Sequence, residues 1–489
     1  MPAEVTVADV AAALGVAYQG PNPILRDVHH NSAAVEPGTL FVAVRGVTRD
    51  GHEFVDAAVA NGAVALVVEE PSDVAVPQLV VADARAALGI AAGTVHGHPA
   101  DQMVVIGVTG TNGKTTVTHM IESIVAASGH VPGLIGTIGA RVAGTPVELA
   151  RTTPEASDLQ RLLAQMSLAG VEVVALEVSS HALALRRVAG VCFEVVAFTN
   201  LSQDHLDFHS DMEDYYLAKA ALFTKECSHH AVVWTDDPWG VRLAGDAEIP
   251  VTTVGITAAD VTATDVVSRI EGSSFTMVMG SEQLEVQLPI PGRFNIANAL
   301  IAAACVVASG MSPAEAARGL SLLPPVPGRF ELMPIEAPFT LIIDYAHSPD
   351  AIDAVITEVR ALDPGRITVV VGAGGDRDRD KRPMMGAAAA RADRVILTSD
   401  NPRSEDPNAI AAEVAAGIAP DCDVVVELDR RRAIHVALRL AQPGDVVLVL
   451  GKGHEPGQEF ADGRIEPFDD SVVVAEEWQR IRSTVGGSL

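Results

Sequence analysis

The chain reads as an α/β protein of three domains: a smaller N-terminal α/β unit, a central P-loop unit on a parallel sheet, and a C-terminal Rossmann-like, doubly wound unit. Three observations predict this. Aliphatic strands alternate with helix-length segments through most of the chain, the pattern of a parallel sheet covered by helices. One of these strands, beginning at Met103, runs straight into a Gly-rich turn that opens a helix. Gly and Pro break the periodicity at His96–Asp101 and again at Pro324–Gly328, dividing the chain into residues 1–100, 101–328 and 329–489. A length of 489 residues accommodates two to four domains, each burying its own core.

In the first segment, β-rich runs at Leu40–Val44 and Ala63–Val68 flank a helical pattern over Phe54–Asn61. In the second, strands are expected at Val171–Val178, Val195–Thr199 and Ala231–Thr235, and Ser210-Asp-Met-Glu213 has the form of a capping box opening a helix. An Ala-rich helix follows Gly292. In the third, strands recur at Thr340–Asp344, Ile367–Gly372, Arg394–Thr398 and Val446–Leu450, and Ser348-Pro349 marks a helix start.

Composition narrows the function. The net charge of −29 argues against nucleic acid, whose phosphates need a basic surface. An anionic small molecule must be held by local positive charge against that field. The four cysteines, Cys192, Cys227, Cys305 and Cys422, lie far apart and form no C-x-x-C pair, so neither a zinc site nor a disulfide framework is indicated. No leader pattern or bilayer-length apolar run is present, so a cytoplasmic protein without a membrane partner is expected.

The richest stretch is Thr109-Gly-Thr-Asn-Gly-Lys-Thr-Thr116. Gly110, Thr111, Asn112 and Gly113 can turn backbone N–H groups onto phosphate oxygens, and the following helix adds its positive end. Lys114 can reach the outer phosphates, and Thr115, beside Thr116, can place a hydroxyl on Mg²⁺. The general pattern wants Gly where Val108 stands. Glu177 ends a strand, where a carboxylate can hold Mg²⁺ directly or through water. Ser179-Ser-His181 follows it. In the loop Thr199–His209, His205 is a candidate metal ligand as neutral imidazole, whereas Asp207 and His209 read as turn formers. Lys219 lies among alanines and by itself reads as a surface lysine. Asn295 and Asn298, three apart, share a helix face suited to a purine or ribose, though Asn295 could simply cap the helix. Arg377, Arg379, Lys381 and Arg382 follow a Gly-rich turn, and Arg403 follows another strand end. Clustered arginines suit carboxylates, and Asp400 or Glu455 can take an ammonium, so these loops describe a pocket for a zwitterion.

Taken together, these strings resemble the Mur ligase family, ATP-dependent amide-bond formers of peptidoglycan synthesis. The phosphate loop resembles the family's own form, which accounts for Val108. Glu177-Val-Ser-Ser-His181, the Asn200–Asp207 loop, Gly292-Arg-Phe-Asn-Ile-Ala-Asn298, Pro327-Gly-Arg329 and Asp344-Tyr-Ala-His347 match in order, over about residues 30–460. Asp400-Asn-Pro-Arg403 is similar to the signature of the member that joins meso-diaminopimelate to UDP-N-acetylmuramoyl-L-alanyl-D-glutamate; lysine-adding relatives usually lack that Arg. The resemblance implies an N-terminal UDP-binding domain, a central ATPase and a C-terminal amino-acid-binding domain. It implies ATP and Mg²⁺, an acyl-phosphate intermediate and a monomer. It assigns Lys114, Thr115, Glu177 and His205 to phosphates and metal, and Lys219 to a carbamate supporting a second Mg²⁺. Asn295, Asn298, Arg329 and Asp344 would hold the nucleotide. Ser32, Thr152, Thr153, Ser179 and Arg187 would grip the UDP-muramoyl-peptide. Arg377, Asp400, Asn401, Pro402, Arg403, Gly451 and Glu455 would form the diaminopimelate pocket. Ala33, Arg151 and Leu185 depart from the family pattern. A ligase adding L-lysine or another amino acid is the alternative.

Overall fold

The computed structural model describes residues 4–46 and 49–486. The first part of the chain folds as α1 (Val7–Ala13), β1 (Asp27–His29), β2 (Thr39–Val42), α2 (Val55–Ala60), β3 (Ala63–Val68), β4 (Gln78–Val80) and α3 (Ala84–Val95). Its four strands pair in the order β1-β2-β3-β4, all parallel. The stretch His96–Asp101 is a tight joint. His98 takes a left-handed backbone (φ 50°), its N–H returns to Gly93 O at 2.7 Å, and the turn Pro99–Gln102 buries Pro99 and Ala100.

The middle part comprises β5 (Val104–Thr109), α4 (Lys114–Ala127), β6 (Pro132–Gly136), β7 (Gly139–Val142), β8 (Thr145–Val147), α5 (Ala156–Leu168), β9 (Val173–Glu177), α6 (Ser180–Ala184), β10 (Phe193–Phe198), α7 (Met212–Ala220), β11 (Ser228–Trp234), α8 (Pro238–Asp246), β12 (Val251–Val254), β13 (Val261–Arg269), β14 (Gly272–Met279), β15 (Glu282–Leu288), α9 (Arg293–Ala308) and α10 (Pro313–Ser321). These strands form one sheet in the order β15-β14-β13-β12-β11-β10-β5-β9-β6-β7-β8. The strands from β12 to β6 are parallel, and the central β5, β9 and β10 are almost wholly apolar, as burial on both faces requires. The edges are antiparallel: β13–β15 form a meander and β7–β8 a hairpin on β6. In β14, buried residues alternate with partly exposed ones, the pattern of a sheet with one wet face.

The last part comprises β16 (Glu331–Leu332), β17 (Thr340–Asp344), α11 (Pro349–Ala361), β18 (Ile367–Val371), α12 (Lys381–Ala389), β19 (Arg394–Leu397), α13 (Pro407–Ala415), β20 (Val424–Val426), α14 (Arg430–Leu440), β21 (Val446–Leu450), β22 (Gly457–Glu459), β23 (Ile465–Pro467) and α15 (Asp470–Gly486). Its sheet runs β16-β17-β21-β18-β19-β20 and is parallel except for β16; β22 and β23 form a separate hairpin. Ser348 caps α11 with Pro349 in its first turn, as expected. The capping box expected at Ser210–Glu213 is replaced by another arrangement. Asp211 caps α7 by accepting from Asp214 N, and Asp214 accepts from Ser210 N. A carboxylate one residue further on outcompetes the serine hydroxyl.

One buried ion pair ties the C-terminal unit together. Arg430 opens α14 and Asp470 opens α15, and both side chains are fully buried. Arg430 Nε and Nη2 donate to the two Asp470 oxygens at 2.8 and 2.6 Å, and Nη2 also donates to Leu450 O at the end of β21, at 3.0 Å. Removing one partner of such a pair strands the other charge, at a cost of about 3–5 kcal/mol. Arg430→Met should therefore lower the urea midpoint clearly; an unfolding curve superimposable on wild type would refute this role for the pair.

Candidate functional site

The parallel sheet brings the ends of β5, β9 and β10 to one edge, and the phosphate loop sits there. Two glycines are obligatory in it. A Cβ on Gly110 (φ 144°) would meet Thr199 Oγ1 at 1.9 Å, and one on Gly113 (φ 88°) would meet Asn298 Oδ1 at 2.4 Å. The loop after β10 props it from the side. Thr199 Oγ1 donates to Asn112 O at 2.6 Å, Asn112 N to Asn200 Oδ1 at 3.0 Å, and Thr111 N to Asn200 O at 2.9 Å.

Lys114 Nζ curls over the loop onto Gly110 O and Thr111 O, both at 2.9 Å. Lys219 reaches the same Gly110 carbonyl at 2.9 Å, with its ammonium 4.4 Å from the Tyr215 ring. This corrects the reading of Lys219 as a surface lysine: it is 1% exposed. Burial and the nearby Lys114 charge hold the Lys219 pKa well below the usual amine range. Burial also lowers that of Lys114, with Arg329 adding to it.

Glu177 is fully buried, with Thr137 N and Oγ1 donating to its two oxygens at 2.9 and 3.0 Å. Thr152 Oγ1 lies 3.1 Å from Thr137 Oγ1, and Thr153 Oγ1 donates to Glu177 O at 2.8 Å. Ser179 N donates to Thr153 Oγ1 at 3.2 Å. Arg187 Nε and Arg151 Nη1 share Glu155 Oε1 at 3.0 and 2.6 Å. Burial brings the His205 pKa down to about 3, so its imidazole is neutral at physiological pH. Thr115, Glu177 and His205 line one cleft of about 440 Å³ together with Thr152, Thr153, Ser179, Arg187, Arg329 and Arg377.

A hydroxyl, a carboxylate and a neutral imidazole on one cleft wall suit Mg²⁺. Among the described residues no group of three or more His, Cys, Asp or Glu side chains is placed to hold a metal by itself. An ion taking the rest of its shell from nucleotide phosphates and water needs no such cage. Lys219 is not among the cleft-lining residues.

A second cavity of about 420 Å³ adjoins the loop, and Asn112, Gly113, Trp234, Asn295, Asn298 and Tyr345 are part of its wall. Asn295 and Asn298 do share a face, since Asn298 Nδ2 donates to Asn295 Oδ1 at 3.2 Å. Asn295 lies inside α9 and bonds back to Pro291 O, and Gly292 occupies the cap position. Arg329 borders both cavities. Its Nη2 donates to Thr115 Oγ1 at 2.9 Å, its guanidinium lies 4.5 Å from the Tyr345 ring, and its Nε is buried with no partner among the described residues. Asp344 accepts from Phe330 N and Ala346 N, and burial raises its pKa.

The four cations after Gly372 meet different fates. Arg379 and Arg382 are engaged by Glu413 and Glu405, and Lys381 by Asp204 at 3.0 Å, so only Arg377 faces the cleft. Farther along, Asn401 is a hub. Its Nδ2 donates to Glu455 Oε2 at 2.8 Å, and its Oδ1 accepts from Lys452 Nζ at 3.1 Å. Lys452 also donates to Glu455 at 2.8 Å; although burial pushes the Glu455 pKa up, this ammonium helps hold it below the usual carboxylate value. A Cβ on Gly451 would lie 2.7 Å from Asp400 Oδ2. A Cβ on Gly374 would lie 3.1 Å from Arg403 Nη1 and 3.6 Å from Arg377 Cγ, so the two arginines flank that glycine. Pro402 O packs under Gly375. Ser32 stands apart, in a short turn where its carbonyl accepts from Asn61 Nδ2, and it borders neither cavity.

Sequence reasoning passed over Thr137, Asp204 and Lys452 as individual groups. Thr137 follows a strand end, a signal that could have found it. The other two became visible only through their partners in space. Asp207 is exposed, and His209 is buried against Tyr215 with Asp214 on its Nδ1; neither borders the cleft, as expected of turn formers.

Comparison with known proteins gives a consistent picture. Residues 25–102 match the Mur ligase family, catalytic domain; residues 108–306 the Mur ligase middle domain; and residues 328–453 the Mur ligase, glutamate ligase domain. The chain is 43% identical to the UDP-N-acetylmuramoyl-L-alanyl-D-glutamate--2,6-diaminopimelate ligase of Streptomyces avermitilis, over 97% of this chain and 96% of the relative. A solved structure of a ligase of that name superposes with a TM-score of 0.70 at 31% identity, covering 98% of this chain and all of that one (100%). The MurF ligase of Thermotoga maritima in complex with ADP shares the fold at 18% identity, with a TM-score of 0.63 over 94% of this chain and 98% of that one.

Thr137 supplies both hydrogen bonds that orient the Glu177 carboxylate. Thr137→Val keeps the backbone bond and the side-chain shape but loses the hydroxyl. Nucleotide-dependent turnover should fall about tenfold, the scale at which groups supporting a metal-site ligand act. Unchanged steady-state turnover in the folded variant would remove Thr137 from the site.

Proposed function

The chain belongs to the Mur ligase family, and from that premise we infer that it is an ATP-dependent carbon–nitrogen ligase. It joins meso-diaminopimelate to UDP-N-acetylmuramoyl-L-alanyl-D-glutamate in the synthesis of peptidoglycan precursors. The observation that carries this reading is the single cleft: the phosphate loop, the Glu177 wall and Arg377 of the C-terminal unit line the same space. Residues 1–100 serve the UDP end, 101–328 the ATP and 329–489 the incoming amino acid. We place the enzyme in the cytoplasm as a monomer.

ATP lies with its base and ribose in the cavity beside Asn295 and Asn298, and its phosphates on Gly110–Thr116. Asp344 and the unpartnered Nε of Arg329 stand at the junction of nucleoside and phosphates. The γ-phosphoryl passes to the side-chain carboxylate of the D-glutamate, giving ADP and an acyl phosphate. Lys114 leaves its loop carbonyls for the phosphate oxygens and stabilises the charge that moves in this transfer. Thr152, Thr153, Ser179 and Arg187 hold the muramoyl-peptide so that the carboxylate meets the γ-phosphate. The neutral amine of diaminopimelate attacks the acyl carbon, the tetrahedral adduct collapses, the C–O bond to phosphate breaks, and the amide remains after loss of the amine proton. Thr115, Glu177, His205 and the carbamate of Lys219 would hold Mg²⁺, which would supply positive charge against the phosphates.

The buried amine of Lys219 is suited to carbamylation. Its depressed pKa leaves more of it as free amine, the form that adds to CO₂. The carbamate exchanges a cation for an oxygen ligand beside the phosphate loop. Lys219→Ala should lose most activity, and short carboxylic acids should restore part of it. Wild-type kinetics in the alanine variant would show that the lysine has no such role.

Arg403 accounts for the choice of amino acid. Only diaminopimelate has a distal head that offers a carboxylate to a guanidinium and an ammonium to Asp400 or Glu455. A sheltered charge-assisted pair contributes about 2 kcal/mol, enough for more than tenfold discrimination against L-lysine. Arg403→Ala should raise the KM for diaminopimelate strongly and that for ATP little, and Arg403→Lys should not restore it. The decisive assay combines ATP, Mg²⁺, the UDP-muramoyl-dipeptide and each amine, with products identified by mass. A wild-type preference for L-lysine would favour the lysine-adding alternative.

A further inference from the structure

We propose that Glu459 is a positioning residue: it holds the Arg403 guanidinium in the orientation that receives the distal carboxylate of the incoming amino acid. The proposal rests on the assignment of the Arg403 pocket above, and it adds a residue outside the motifs that define that pocket.

Glu459 ends β22, in the hairpin that follows Glu455. Its carboxylate accepts from Arg403 Nε at 2.7 Å, and Gly375 O accepts from Arg403 Nη1 at 2.7 Å. A guanidinium has five N–H donors. These bonds use one on Nε and one on Nη1, and no further hydrogen bond of this guanidinium is found among the described residues. The second Nη1 proton and both Nη2 protons remain, enough for a forked contact with a carboxylate. Glu459 thus occupies the part of Arg403 that the substrate does not need.

The backbone supports the same arrangement. Arg403 has a left-handed conformation (φ 50°), which a non-glycine residue keeps only when its surroundings impose it. Here Arg403 N donates to Glu459 O at 3.0 Å, and Glu459 N donates to Asn401 Oδ1 at 3.0 Å. The hairpin therefore grips Asn401-Pro402-Arg403 from both ends. These bonds survive any change of the Glu459 side chain, so substitution tests the carboxylate alone.

The alternative is an ordinary surface ion pair of little consequence. The Glu459 side chain is 41% exposed, but that of Arg403 is only 19% exposed. A free arginine side chain has many rotamers to lose on binding, and orienting it beforehand removes that penalty from substrate affinity. The carboxylate contributes as an acceptor of fixed position, so an amide oxygen at the same place should serve nearly as well.

The test is steady-state kinetics with meso-diaminopimelate, L-lysine and ATP on wild type, Glu459→Ala, Glu459→Gln, Arg403→Ala and the double alanine variant. Glu459→Ala should raise the KM for diaminopimelate about tenfold while kcat and the KM for ATP change less than about twofold. Glu459→Gln should restore the KM to within about threefold of wild type. In the Arg403→Ala background, Glu459→Ala should add no further effect, because the two act as one unit. A wild-type KM in Glu459→Ala, a glutamine variant as impaired as alanine, or full additivity in the double variant would overturn the positioning role while leaving the pocket assignment standing. A wild type that rejects meso-diaminopimelate would overturn the pocket assignment itself, and this proposal with it.

Discussion

Two lysine side chains share one carbonyl. Lys114 and Lys219 both donate to Gly110 O; Lys219 is buried and Lys114 half-buried. Positive charge out of water is costly unless an anion answers it, and a backbone carbonyl answers it only in part. The protein as a whole carries −29, yet at this point it brings Lys114 and Arg329 to the positive end of α4. A polyanion entering the loop relieves that imbalance, and the surroundings are arranged to hold the loop open for it. Thr199 and Asn200 brace its backbone, while Asn298 leaves space for no side chain at Gly113.

From that loop the architecture follows outward. A parallel sheet delivers the ends of β5, β9 and β10 to one edge, so residues far apart in the chain line one cleft without any long connection. The wall at Glu177 is rigid because Thr137, Thr152 and Thr153 connect its carboxylate and carbonyl in a continuous hydrogen-bonded array. The C-terminal unit closes the opposite side through bonds that cross the junction. Arg329 reaches Thr115, and Lys381 reaches Asp204 between two nearly buried side chains. Although burial alone would raise the Asp204 pKa, His347, His205 and Lys381 hold it well below the carboxylate range, so the junction keeps its anion at physiological pH.

Charge in the C-terminal unit is sorted by partner more than by residue type. Arg382 and Arg430 are fully buried and fastened to carboxylates, where they join helices. Arg377 and Arg403 stand on either side of Gly374, with donors still available. Lys452, buried like Arg430, sets Glu455 and Asn401 and thereby shapes the pocket without facing a ligand as a free charge. Arg187, which faces the cleft, is likewise oriented by Glu155, which does not border it.

Much was legible in the sequence by itself. Continuous aliphatic runs marked the strands of the parallel sheets, because burial on both faces leaves no room for alternation. The glycines, Lys114 and Thr115 marked the phosphate loop, because that chemistry needs contiguous residues. The motifs also placed Asn295, Asn298, Arg329 and the Asp400–Arg403 turn near one another in function, through resemblance to a family. Other features came only from the tertiary structure. The antiparallel edges β7–β8 and β13–β15 lack a signal as plain as a buried strand, since β7 and β8 are short and β13–β15, though long, are half exposed. Lys219 read as a surface helix lysine, although its small neighbours left it room to lean into a cleft, and packing against Gly110 and Tyr215 buries it. The separate fates of Arg377, Arg379, Lys381 and Arg382 depended on Glu413, Glu405 and Asp204, carboxylates that lie up to 177 residues away along the chain. A sequence states which groups a chain carries; which charge meets which partner is decided by distance, and distance exists only in the folded molecule.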